Sequence, residues 1–415
     1  MEKFVVEGEV QLKGSVRIGG AKNAALPIMA AAALCPGSSV LHNVPELKDI
    51  KTMRRILTLL GARVTQDGAS LCIDAKELRD AVIPEDLMRE MRASVFFMGA
   101  LIGRCKEVRL AYPGGCAIGP RPIDLHIKAL KKLGAEVEER YGMITVKAAR
   151  LRGNEILFDF PSVGATENAM MAAVLAEGTT VIRNAAREPE IADLEAFLNR
   201  MGARVRGAGS DTLTICGVRA LSPAEHSVIS DRIEAGTFLL AGAITGGEVT
   251  VGPLSAETLF ALLDKLSSAG ASVTVGSDFV RVRAGKLRAV DVKTLPFPGF
   301  PTDLQAPMLS LLTVADGTSM VTETIFENRF QHVDQLVRMG ANIRVDGRSA
   351  IIRGARYLTG AVVEAFDLRA GGALIVAALA AKGRTEIKSI SHIDRGYEAI
   401  ERKLQSLGAE IVRTV

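Results

Sequence analysis

The 415-residue sequence predicts an α/β protein of two domains, assembled from six copies of one α/β unit. Two recurring phrases point to this. The first is Leu-Gly-Ala followed by a strand, seen as "LLGARV", "KLGAEV", "RMGARV", "SAGASV", "RMGANI" and "SLGAEI". Its glycines are Gly61, Gly134, Gly202, Gly270, Gly340 and Gly408, at successive spacings of 73, 68, 68, 70 and 68. The second phrase is an apolar run of helix length, usually closed by Gly and followed by a β-rich segment. Examples are "AAVLAEGTTVIRNAA", "LLAGAITGGEVTVGPL" and "LIVAALAAKGRTEIKSI". Each unit therefore reads as a buried helix, a Gly cap, a strand, an amphipathic helix, a second Gly cap and two strands joined by a turn. Repetition at this period means units that share cores with their neighbours.

The chain ends suggest how the units are grouped. Strand-like sequence opens the chain at residues 4–18, and the sequence stops just after the sixth Leu-Gly-Ala strand, so the last unit lacks its hairpin. Residues 1–21 are available to complete it. The expected division is a discontinuous domain of residues 1–21 and 229–415 and a second domain of residues 22–228, three units in each. The segment "RALSPAEHSVISD" has the character of a linker near that cut.

Composition narrows the function. A hydrophobic share of 48% with 24% charged residues describes a soluble globular chain. Residues 24–45 carry no formal charge, but Pro27, Pro36, Gly37, His42, Asn43 and Pro45 interrupt them, so no membrane span is expected. The opening "MEKFVVEGEVQLKG" has no apolar signal core, so a cytoplasmic location is expected. Cys35, Cys72, Cys105, Cys116 and Cys216 are odd in number and widely spaced, against both a disulfide framework and a zinc site. A net charge of +4 without a basic run longer than two residues, no Trp and 4% aromatics argue against nucleic acid as a partner. Small anionic substrates fit better.

The apolar helices open on polar clusters: "GGAKNAALP", "MRASVFFMG", "SVGATENAMM", "SDRIEAGTF", "FPTDLQAPM" and "DLRAGGALIV". A helix N-terminus presents unpaired N–H groups and the positive end of its dipole, so it receives anions. Lys22, Arg92, Arg232 and Arg369 would add full charges there. Plainer readings stand beside this one. Ser162, Thr166 and Asp303 have the residue type and place of helix caps, and Lys22 and Arg369 could be solvated or bonded to nearby loops. Asp124 and His126 in "RPIDLHI" could pair as acid and base or simply hold their loop. "GGAK" lacks P-loop spacing, and no G-x-G-x-x-G enters a helix.

One stretch has no structural excuse. "AYPGGCAIGPRP", residues 111–122, places the thiol of Cys116 where Gly and Pro forbid both helix and strand, with Arg121 five residues on. Cys116 is either an inert loop thiol or a chemical one.

These motifs together resemble the UDP-N-acetylglucosamine enolpyruvyl transferases of the EPSP synthase-like family. The resemblance covers essentially the whole chain, through "GGAKNAALP", "PGGCAIGPRPIDLHI", "SVGATEN" with "NAAREPEI", "FPTDLQAP", "TETIFENRF", "DLRAG" and "HIDRGYEAIE". It implies a two-domain inside-out α/β barrel, helices within and sheets outside. It also implies transfer of the enolpyruvyl group of phosphoenolpyruvate to the 3′-hydroxyl of UDP-N-acetylglucosamine with release of phosphate, the opening step of peptidoglycan synthesis. The route is addition and elimination through a tetrahedral intermediate, with no metal and no cofactor. By the same resemblance Cys116 is the proton donor and Asp303 the base. Lys22, Arg121 and Arg395 hold phosphoenolpyruvate, assisted by Asn23 and Arg369. The sugar nucleotide meets Asn23, Arg92, Arg121, Pro122, Ile123, Asp124, Leu125, Ser162, Val163, Gly164, Asp303 and Ile325. The loop within residues 111–122, with Gly114, Gly115 and Gly119 as pivots, is expected to act as a lid. One departure stands out: some family members carry Lys two residues before the Ser of "SVGAT", where this chain has Phe160 and Pro161. Two competing readings are a transferase for shikimate 3-phosphate, whose first helix opens on a Gly-Ser-Lys-Ser type motif, and a non-catalytic nucleotide-binding scaffold. The scaffold would explain the repeats but not the placing of Lys22, Cys116, Asp303 and Arg395 in specific motifs.

Overall fold

The computed structural model describes residues 2–78, 82–112 and 122–415. They fall into two compact units, one of residues 2–19 and 230–415 and one of residues 20–112 and 122–229. Each unit has its own continuous apolar core.

Six helices supply most of those cores: α1 (Lys22–Ala31), α2 (Phe97–Cys105), α3 (Val163–Ala173), α4 (Arg232–Ile244), α5 (Gln305–Leu312) and α6 (Leu368–Ala380). They are Ala-, Leu- and Met-rich with no polar face, so they can fold only where neighbours cover every side. All 13 residues of α4 are buried. Close backbone approach packs them. The N–H of Gly99 in α2 donates to Asn168 Oδ1 of α3 at 2.7 Å, and a Cβ at Gly99 would lie 2.3 Å from the Asn168 carbonyl. In the other unit Ser310 of α5 donates to the Ala373 carbonyl of α6 at 2.8 Å.

Between these lie amphipathic helices. In Lys48–Leu59 the residues Asp49, Ile50, Met53, Ile56 and Leu57 face inward at helical spacing. The Leu-Gly-Ala phrase ends each such helix, and its geometry explains the repeat. All six glycines have φ between 91° and 99°, a left-handed conformation that costs other residues about 1–2 kcal/mol. The Ala after each Gly donates back to a Leu carbonyl five residues earlier at 2.9–3.0 Å: Ala62 to Leu57, Ala135 to Leu130, Ala203 to Leu198, Ala271 to Leu266, Ala341 to Leu336 and Ala409 to Leu404. This is the Schellman cap, in which the same Leu and Ala also pack together. The recurring phrase is thus one helix stop used six times.

Among the described residues the strands form six four-stranded sheets of one design. In Glu107–Ala111, for example, the strand after α2 pairs in parallel with Val82–Ile83 and antiparallel with Met143–Lys147, which pairs in turn with Glu136–Arg140. The chain start serves two of these sheets. Lys3–Glu7 lies antiparallel between Arg384–Lys388 and Glu410–Thr414 and completes the sixth sheet. Lys13–Arg17 does not join it there, but pairs in parallel with Glu248–Gly252 as an edge of the fourth. Glu225–Ser227 fills the matching edge of the first sheet beside Ser38–His42. No helix among the described residues is long and apolar enough to cross a membrane.

Several glycines within single repeats permit close backbone crossings rather than turns. A Cβ at Gly354 would sit 1.7 Å from the Ala315 carbonyl oxygen, and one at Gly217 1.6 Å from that of Ala176. Gly408 by contrast faces open space and needs only its positive φ. Gly354→Ala should therefore lose about 2–3 kcal/mol in urea unfolding and Gly408→Ala about 1 kcal/mol. Equal losses would show that the crossing at Gly354 costs no more than the positive φ at Gly408.

Candidate functional site

The polar openings of the inner helices carry the candidate residues, and each unit presents its own set. In the unit of residues 20–112 and 122–229, Lys22 is the first residue of α1. Its Nζ pairs with Asp49 Oδ2 at 3.2 Å, with the two side chains 11% and 5% exposed. A carboxylate from the first turn of Lys48–Leu59 therefore fixes Lys22, and little of its side chain meets solvent. The glycine before it has a steric reason, since a Cβ at Gly20 would fall 1.6 Å from the Asn43 carbonyl oxygen. Asn43 is itself left-handed (φ 55°) and donates from Nδ2 to the Val228 carbonyl at 2.8 Å. Asn23 follows, half-buried.

Three more of the expected segments meet around Asn168. Arg92 opens a 3₁₀ turn (Arg92–Phe96) that runs into α2, and its Nη2 reaches the Pro122 carbonyl at 3.4 Å. The segment Pro122–Leu125 leads into the helix Asp124–Lys132, whose His126 is buried and shares a 2.7 Å hydrogen bond between Nδ1 and Asn168 Nδ2. Asn168 Nδ2 also donates to the Val95 carbonyl at 3.0 Å. A Cβ at Gly164 would lie 3.2 Å from His126 Cε1, which seats the start of α3 against this helix. Ser162 does cap α3, its Oγ accepting the Ala165 N–H at 3.4 Å. Thr166 does not; its hydroxyl donates to the Ser162 carbonyl and accepts the Ala186 N–H, binding "SVGAT" to "NAAREPEI". The Phe160 that stands where some relatives have Lys is 42% exposed, and Lys128 pairs at 2.7 Å with Asp159 beside it.

In the other unit Asp303 is gripped rather than capping. Arg329 Nη2 donates to one carboxylate oxygen at 2.8 Å and Arg369 Nη2 to the other at 2.7 Å. Both guanidiniums are nearly buried, at 4% and 7% exposure. Burial pushes the Asp303 carboxyl upward, but Arg369 and Arg329 outweigh it and hold it well below the usual carboxylate range. Behind it, buried Glu323 accepts from Thr294 and Thr302 hydroxyls and from the N–H groups of Ile325 and Phe326, which fixes the backbone at Ile325. Arg329 lies over the Phe326 ring, 5.2 Å from its centroid.

Arg395 ends a 3₁₀ turn (Ile390–Arg395) seated on the first turn of α6. Glycines make the seat: a Cβ at Gly371 would approach Ile393 Cγ1 to 2.4 Å, one at Gly396 would approach Leu368 Cδ2 to 2.4 Å, and one at Gly372 the Tyr397 hydroxyl to 2.7 Å. Tyr397 shares a 2.9 Å hydrogen bond with Thr237 of α4, and Arg369 lies over its ring. Asp367 caps α6 and Asp231 caps α4 through paired backbone N–H groups. Two guanidiniums thus converge on Asp303, with Arg395 on the turn packed against the start of α6.

Cys116 and Arg121, and the expected lid between residues 113 and 121, lie outside the described residues. Asp49, Asn168, Glu323 and Arg329 were not singled out in the sequence. The motifs "TETIFENRF" and "SVGATEN" contained three of them, but nothing local marks which charged or amide group in a motif is buried.

The family model for EPSP synthase (3-phosphoshikimate 1-carboxyvinyltransferase) matches residues 6–404. A relative from Caldanaerobacter subterraneus subsp. tengcongensis, UDP-N-acetylglucosamine 1-carboxyvinyltransferase 2, is 54% identical over 415 residues, all of both chains. UDP-N-acetylglucosamine 1-carboxyvinyltransferase 1 from Symbiobacterium thermophilum is 56% identical over 419 residues, 99% of this chain and 95% of its own. Among solved structures, the enolpyruvyl transferase NikO from Streptomyces tendae is similar with a TM-score of 0.91 and 26% identity, covering 100% of this chain and 99% of NikO. EPSP synthase from Acinetobacter baumannii shares the fold, with a TM-score of 0.78 and 17% identity over all of both chains.

A buried acid in "SVGATEN" offers a test of this architecture. Glu167 is 1% exposed and its Oε1 has no hydrogen-bond partner. Burial, then the nearby Glu190 and Glu188, push its carboxyl well above the ordinary 4.5. A raised folded value means that this group favours folding below about pH 4.5, and that the advantage is lost as pH rises toward the folded value. Glu167→Gln should thus match wild-type stability near pH 4.5 and exceed it by a margin that widens as the pH rises. Thermal melts from pH 4.5 to 8 measure the gap; a gap independent of pH would mean that Glu167 is ionised in the fold.

Proposed function

The chain belongs to the EPSP synthase family, and we propose that within it the acceptor is a nucleotide sugar. The protein transfers the enolpyruvyl group of phosphoenolpyruvate to the 3′-hydroxyl of UDP-N-acetylglucosamine and releases phosphate, the first committed step of peptidoglycan synthesis. The observation that carries this is full-length identity of 54% and 56% with relatives named for that reaction. The shikimate enzyme is supported here only by the family description and a likeness of fold. Both substrates are soluble phosphorylated metabolites, which fits a cytoplasmic protein.

The chemistry needs a proton delivered to C3 of phosphoenolpyruvate, a base for the acceptor hydroxyl, and cations for the phosphate and carboxylate. We assign the proton to Cys116 and the base to Asp303. Lys22, Arg121 and Arg395, with Asn23 and Arg369, hold the donor. Arg92, Arg121 to Leu125, Ser162 to Gly164, Asn23, Asp303 and Ile325 hold the nucleotide sugar, and the segment around Cys116 closes as a lid. Lys22 supports its part by being pre-set on Asp49 rather than loose in solvent. Asp303 raises a question that the reading must answer, because a carboxylate held by two guanidiniums is a weak base. An anionic donor resolves it: groups that draw on Arg329 and Arg369 loosen their grip on Asp303, and its basicity recovers as the donor arrives.

A phosphate-release assay separates the acceptors. Turnover is expected with UDP-N-acetylglucosamine and none with shikimate 3-phosphate; the opposite result would overturn the assignment. Asp303→Asn should lower kcat by about a thousandfold while nucleotide-sugar affinity stays within about tenfold, since shape and a hydrogen-bonding group remain.

Cys116 has its own test. A free thiol has a pKa of about 8.5, and a basic neighbour such as Arg121 lowers it, so thiolate is available near neutrality for attack on an epoxide. By the family resemblance, the epoxide antibiotic fosfomycin should inactivate the protein irreversibly, and faster with UDP-N-acetylglucosamine bound. Cys116→Asp should stay active with its pH optimum moved toward acid and should resist the epoxide, because a carboxyl donates a proton only below its pKa. Cys116→Ser should fail in sustained turnover. Normal turnover by the Ser variant would remove the acid role from Cys116.

A further inference from the structure

Two acidic residues of "HIDRGYEAIE", Asp394 and Glu401, have no part in the reaction described above, yet both reach the last strand of the chain. Arg413 in Glu410–Thr414 grips Asp394 with two bonds, Nη2 to Oδ1 at 2.6 Å and Nη1 to Oδ2 at 3.1 Å. Its Nε donates to Glu401 at 3.2 Å and its Nη1 to Glu2 at 3.1 Å. The guanidinium lies over the Phe4 ring, 4.9 Å from the centroid. Three carboxylates thus share one cation, and the bonds to Asp394 and then Glu401 raise the Arg413 pKa further still.

What this cluster holds is the turn that carries Arg395. The turn Ile390–Arg395 follows Ser389 in a left-handed conformation (φ 58°), and the helix after it (Ile400–Ser406) follows Ala399, also left-handed (φ 43°). Neither is Gly, so both positions are strained and persist only because surrounding contacts enforce them. On the inner side the contacts are Ile393 and Tyr397, at 0% and 1% exposure. On the other side they are Asp394 and Glu401, bound to Arg413.

We propose that Arg413, acting through Asp394, is a positioning residue for Arg395: it locks the turn so that the neighbouring guanidinium is already set for the anionic donor. This rests on the assignment of Arg395 to phosphoenolpyruvate. A bidentate guanidinium–carboxylate pair fixes orientation as well as distance, and a preset cation does not have to be ordered when the anion binds. Without Arg413 three like charges face one another across the turn, and the turn relaxes. A lysine supplies charge at a point but not the planar fork.

Steady-state kinetics and direct nucleotide-sugar binding test this on Asp394→Asn, Arg413→Met, Arg413→Lys and Arg395→Gln. Asp394→Asn and Arg413→Met should raise KM for phosphoenolpyruvate about tenfold or more, with kcat within about threefold and the Kd for UDP-N-acetylglucosamine within about twofold, and Arg413→Lys should recover part of the loss. If KM for phosphoenolpyruvate is unchanged in a folded Asp394→Asn protein, or rises together with the nucleotide-sugar Kd and in step with a lower Tm, the positioning role is wrong. Asp394→Asn keeps the side chain's shape and decides the matter even if Arg413→Met fails to fold. Arg395→Gln separates the two layers: no effect on KM for phosphoenolpyruvate would overturn the donor assignment itself. A large effect there with none in Asp394→Asn would overturn only the positioning inference.

Discussion

A helix with no polar face can exist only inside a domain, and the rest of this structure follows from that constraint. Because α1 to α6 are apolar all round, sheets and amphipathic helices must cover them, and their first turns are where polar residues can stand. The amphipathic helices have to end abruptly so that the chain can return as a strand. The Gly-Ala step does this six times, each time with one positive φ and one bond back to a Leu carbonyl. The same short phrase that makes the repeat visible is therefore also the hinge of each unit's geometry.

The candidate residues use the leftover polarity of those helix ends, and each unit uses it in its own way. In one, a lysine is fixed by a buried carboxylate and an amide network around Asn168 sets the adjoining segments. In the other, charges are paired more tightly, with Asp303 between two arginines and caps by Asp231 and Asp367 on either side. The second arrangement buries its arginines against carboxylates, so each guanidinium is neutralised and hydrogen-bonded rather than left alone under little solvent. His332, next to Arg329, stays neutral in this setting, because burial holds its imidazole down to about 4.

What could be read in the sequence was periodic or compositional. Glycine caps recur at fixed spacing, and polar clusters before apolar runs mark the helix starts, so the six-unit fold and the polar helix starts that carry Lys22, Asp303 and Arg369 were visible there, whereas Arg395 was reached only through the family resemblance. Pairings were not. Lys22 meets Asp49 from 27 positions away, Asp303 meets Arg369 from 66, and Arg413 meets Glu2 from 411. Nothing near any of these residues distinguishes a buried partner from a solvated charge, and the choice between them is made by tertiary packing alone. Asp303 illustrates the difference: its place before an apolar run suggests a helix cap, but two guanidiniums take both of its oxygens.

The chain termini carry the same logic one step further. Lys3–Glu7 lies between Arg384–Lys388 and Glu410–Thr414, so the sixth sheet cannot be completed until both ends of the chain are present. That sheet supports Arg413, and Arg413 in turn holds the turn on which Arg395 sits. A defect at either terminus would thus reach the turn that bears Arg395 by a short mechanical route, through one strand and one ion pair. Sequence distance hides this dependence completely. Linking the last strand to the first is what makes a repeat array end in a defined place, and here that closure lies directly behind a residue assigned to the donor.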